Sequence, residues 1–109
     1  MSQFRTKKPM LTVGEQSFSE KDIAETATDF AMTGNVASKE IFLAAKNELF
    51  KLTGDEKNIR MLDWEISSIQ DLMTRIESGK SDDTGDAAVA QKLDYIDHYV
   101  SLLFKRLAR

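Results

Sequence analysis

The sequence predicts a mainly α, four-helix domain: a long antiparallel helical hairpin (about 56–78 and 87–108), two shorter helices and a small N-terminal β-hairpin. Two observations predict the long hairpin. Ile59, Leu62, Ile66, Ile69, Met73 and Ile76 recur at alternating three- and four-residue spacing, and so do Val89, Leu93, Ile96, Val100, Leu103 and Leu107. Each set is the a/d seam of a heptad repeat, and a short polar connection makes the two seams antiparallel neighbours, coiled-coil fashion. A third observation sets the boundaries of the other elements. Gly34, Gly54 and Gly79 each follow an apolar-periodic run, where a left-handed residue ends a helix.

The elements follow in chain order. Residues 1–9 lack periodicity and carry Arg5, Lys7 and Lys8, which predicts a flexible basic arm before a single helical domain at 10–109. Met10–Val13 and Gln16–Phe18 flank Gly14-Glu15, the signature of a two-residue hairpin with glycine at the first turn position. Ser19 is an N-cap, Asp22 makes an imperfect capping box because it is one methylene short of Glu, and Phe18 and Ile23 stand at the staple positions. The first helix should run from Glu20 to Thr33, with Ile23, Ala27, Phe30 and Ala31 as its apolar stripe and Asp22, Glu25 and Asp29 on its acidic face. Asn35 or Ser38 can cap the second, whose stripe reads Ile41, Phe42, Ala45, Leu49 and Leu52. Asp55 caps the third helix. Lys80–Gly85 reads as a loop, and Asp86 as the cap of the fourth.

Composition narrows the function. A chain of 109 residues is one domain's worth. With 0 Cys it has no disulfides, thiolate nucleophiles or Fe–S ligands, and with 1 His it cannot build a di-metal site from paired Glu-x-x-His motifs. A net charge of -3 is mild for a DNA mimic and does not suggest binding dominated by phosphate contacts. No secretory signal and no bilayer-length apolar run is visible, so a cytoplasmic protein without a membrane partner is expected.

The candidate chemical motifs are weak. Gly79-Lys80-Ser81 resembles the end of a phosphate loop, but Thr74 stands where its first glycine belongs and a helix precedes it. Asp82–Asp86 lacks calcium-loop register, because Lys80 falls at the first ligand position. His98 lies at an f position opposite the seam, one turn after Asp94, which predicts a solvated side chain. The pairs Asp63/Glu65 and Asp82/Asp83 come with no sign of a desolvated cleft. No catalytic residues, cofactor or metal are therefore expected.

The surplus is apolar. Met61 and Trp64 fall off the third helix's seam, and Tyr95, Tyr99, Leu102 and Phe104 fall off the fourth's. A helix apolar on more than one face is covered by something. Met61 and Trp64 are the first candidates for internal packing. Tyr99, Leu102 and Phe104, with Tyr95 and Arg106 beside them, are the first candidates for an interface. The expected function is a non-enzymatic protein–protein interaction module (an adaptor, chaperone-like binder or inhibitor), binding another protein or itself as a homodimer. The alternative is a nucleic-acid-linked protein, acting through the basic arm or through weak acidic mimicry; nucleic acid is the less expected partner.

Overall fold

The computed structural model describes residues 10–79 and 84–107. The expected arm at 1–9, most of the expected loop at 80–83, and residues 108–109 lie outside them. The described chain is mainly α, with four helices and a two-stranded antiparallel sheet: β1 (Leu11–Val13), β2 (Gln16–Phe18), α1 (Glu20–Thr33), α2 (Val36–Thr53), α3 (Glu56–Glu77) and α4 (Thr84–Leu107).

The strands pair Leu11 with Phe18, Thr12 with Ser17 and Val13 with Gln16. Gly14 supplies the positive φ that the tight turn needs, and Glu15 does not take one. Two strands alone are marginal in water. Here β1 lies on α2 and β2 on α1, with Leu11 fully buried between them.

Ser19 and Asp22 close a complete capping box despite the short side chain: Asp22 N–H donates to Ser19 Oγ at 3.0 Å, and Ser19 N–H donates to Asp22 Oδ2 at 2.9 Å. The α1–α2 and α2–α3 junctions then use one device twice, as Thr33-Gly34-Asn35 and Thr53-Gly54-Asp55. In each, the threonine hydroxyl donates back to a helix carbonyl (Asp29 or Leu49) and accepts the N–H of the Asx residue. The glycine takes φ near +69° or +67°, and the Asx side chain caps the next helix by accepting from Ser38 N–H or Asn58 N–H. Asn35, and not Ser38, is therefore the cap of α2.

The core holds the greater part of both predicted seams, with Met73, Ile76, Leu93 and Leu107 half-buried. Ile59, Leu62, Ile66 and Ile69 face Val89, Ile96, Val100 and Leu103, and α3 against α4 is the most extensive interhelical contact. Ile23, Ala27 and Ala31 of α1, and Phe42, Ala45 and Leu49 of α2, complete it. Phe30 meets Phe42 across α1 and α2 with ring centroids 5.9 Å apart. Two expectations are corrected. Ile41 and Leu52 of the predicted α2 stripe stand at its solvent margin, Leu52 being 58% exposed, because the buried arc of α2 is narrower than the stripe. The last helix starts at Thr84, so Thr84 and Gly85 are helical rather than loop, and Asp86 lies in the first turn rather than at the cap.

Candidate functional site

The off-seam residues separate differently from expectation. Phe104, expected at an interface, is fully buried in the core. The reason is that α4 touches all three other helices, so it needs a second inward face beside its seam. Trp64, expected inside, is 67% exposed, because its f position on α3 points away from every other helix. Met61, Tyr99 and Leu102 are half-buried, and Tyr95 is exposed. Arg106 is committed within the chain: its Nε lies 2.7 Å from Asp55 Oδ2. His98 is exposed, as expected; it makes no ion pair with Asp94 and packs against Tyr99 edge-on, with centroids 5.3 Å apart.

Two surfaces stand out. The first is the outer face of α2. Val36 (68% exposed), Leu43 and Phe50 (47%) recur once per heptad and form one stripe roughly 130° round the helix from buried Phe42, Ala45 and Leu49. Glu40 and Asn47 flank it on one side, Lys39 and Lys46 on the other. Lys46 Nζ donates to both carboxylate oxygens of Asp63 at 3.0 and 3.1 Å, joining α2 to α3. The core-facing period of α2 does not reveal this stripe, because a period names one face and these residues lie off it.

The second is an open groove of about 1130 Å³ between α1 and α4. Ala24, Met32 and Leu93 give it an apolar lining, and Glu20, Glu25, Asp29 and Asp97 give it acid, against one cation, Lys21. Among the described residues no Lys, Arg or His forms an ion pair with any of those acids. Desolvation, and then repulsion from Asp94, push the Asp97 carboxyl above its ordinary pKa. Its signal in the sequence was the acidic face of α1 and the Asp94/Asp97 pair; neither is distinctive until α4 lies beside α1.

Among the described residues no group of three or more His, Asp or Glu side chains is placed to hold a metal ion. No described helix is long and apolar enough to cross a membrane. No protein-family model, curated protein or solved structure gives a significant match to this chain.

Proposed function

We propose that this chain is a non-enzymatic protein–protein interaction module that buries an apolar helix face, first of all against a second copy of itself. The observation that carries this reading is that α2 carries two separate apolar strips, and its own chain covers only one. The uncovered stripe is self-complementary in position. Val36 and Phe50 lie equally far from Leu43 along the helix, so two α2 helices packed antiparallel about a two-fold at Leu43 set Val36 of each copy against Phe50 of the other. That pairing matches a small β-branched side chain with a large aromatic one.

The same arrangement brings Lys39 of one copy near Lys46 of the other. Asp63 already offsets part of the Lys46 charge. Added salt should therefore tighten the pairing by screening the remaining repulsion, opposite to nucleic-acid binding, which salt weakens steeply. Light scattering over a concentration series tests the reading. The expected result is a dimer mass that falls to the monomer mass in Leu43→Asp and Phe50→Asp while helical circular dichroism is kept. A native chain that stays monomeric, or variants that stay dimeric, would overturn it.

A further inference from the structure

We propose that the groove between α1 and α4 is a binding site for the chain's own basic N-terminal segment, residues 1–9. This site is separate from the outer face of α2 and does not depend on it. Three observations carry the assignment.

Charge is the first. The segment holds Arg5, Lys7 and Lys8 with no acid, while the groove holds Glu20, Glu25, Asp29 and Asp97 against Lys21 alone. Cations arriving there would meet carboxylates that have no described cationic partner, one of them, Asp97, already made costly to ionise by its surroundings. Phe4 adds an apolar group for a lining of Ala24, Met32 and Leu93.

Origin is the second. Leu11 pairs with Phe18, so the antiparallel register carries Met10 to the side of Ser19, and Ser19 with Glu20 lines the groove. The segment therefore joins the fold at the end of the site.

Reach is the third. The groove follows α1 from Ser19 to Met32, about 20 Å at the helical rise. Nine extended residues span at most roughly 30 Å. Tethering also supplies an effective concentration on the order of millimolar, so a few exposed ion pairs suffice for occupancy. At about 1130 Å³ and open to solvent, the groove suits a length of chain better than an enclosed small ligand.

The absence of cysteine allows a clean test in the full-length chain. A nitroxide on Gln3→Cys should broaden the methyl resonances of Ala24, Met32 and Leu93 and leave those of Val36 and Leu52, on α2, sharp. Reversing the segment's charge (Arg5→Glu, Lys7→Glu, Lys8→Glu) should remove the broadening, and adding Glu20→Lys with Glu25→Lys should restore it. Broadening of the groove methyls that is absent, or that survives charge reversal, overturns the proposal. A mixture of spin-labelled and isotope-enriched chains separates the two sources of the segment: broadening that arises only in the mixture assigns the groove to another copy's segment and overturns the intramolecular assignment.

Discussion

Arg106 Nε lies 2.7 Å from Asp55 Oδ2, and this ion pair ties the last turn of α4 to the N-cap of α3. Asp55 is buried and also accepts from Asn58 N–H at 3.1 Å and Asn58 Nδ2 at 2.7 Å. Burial alone would raise its pKa; the Asn58 hydrogen bonds and the Arg106 charge outweigh it, and the carboxyl sits below its ordinary value. One side chain thus starts α3 and closes the open end of the helical hairpin.

Arg106→Ala should cost about 1–2 kcal/mol, because Asp55 keeps Asn58 and the arginine is half-exposed. That corresponds to a fall in Tm of roughly 5–10 °C. The sign of the pH dependence follows from the depressed pKa. Stability from Asp55 is present above the ordinary carboxylate pKa and is lost as pH falls through the lower folded-state value. Melting curves of native chain and variant should therefore converge in strong acid and separate near neutrality. A constant separation across that range would mean that the arginine acts through packing alone.

Phe104 and Trp64 should respond in opposite ways to truncation. Phe104→Ala empties a fully buried site and should cost about 3–5 kcal/mol. Trp64→Ser touches a side chain that is 67% exposed and should leave monomer stability within about 0.5 kcal/mol. Urea midpoints at equal m-values check both, and similar losses at the two positions would contradict their placement.

These two residues also show where sequence reasoning stops. The seams were legible because a heptad names its own partner face: eight of the twelve seam positions are buried, and Met73, Ile76, Leu93 and Leu107 are half-buried. The e position of Phe104 and the f position of Trp64 are defined only relative to the α3–α4 pair. Which of them turns inward depends on where α1 and α2 settle; every helix contacts the other three, but α2 lies more against α4 than against α3. The α1–α4 groove was hidden for the same reason: its acids sit on two helices far apart in sequence. The paired Thr-Gly-Asx junctions were legible residue by residue, but a three-residue match is too short to stand out as a repeat.

Those junctions give a prediction free of packing effects. A Cβ at Gly34 or Gly54 would meet nothing within 4 Å, so substitution there tests backbone conformation alone. Gly34→Ala and Gly54→Ala should each cost about 1–2 kcal/mol through left-handed strain, and Gly→Asn less. The sites are independent junctions, so the double variant should be additive within about 0.5 kcal/mol by chemical denaturation. A neutral alanine at either site would mean that the junction relaxes away from positive φ.

Glu65 gives the last prediction. It is buried on α3, its Oε1 accepts no hydrogen bond, and Lys92 Nζ of α4 stands 3.5 Å from that oxygen. A buried charge held only by a long ion pair keeps most of its desolvation cost and gains little back. Removing the cation alone should therefore hurt: Lys92→Met leaves the carboxylate without its partner and should cost about 1–3 kcal/mol. Removing both should not. Glu65→Met with Lys92→Met places apolar volume in the α3–α4 seam, and the double variant should match or exceed the native Tm. The double-mutant cycle separates the pair's coupling from the cost of burying each group. A double variant with a Tm clearly below that of the native chain would show that the ion pair stabilises the α3–α4 contact more than apolar packing does.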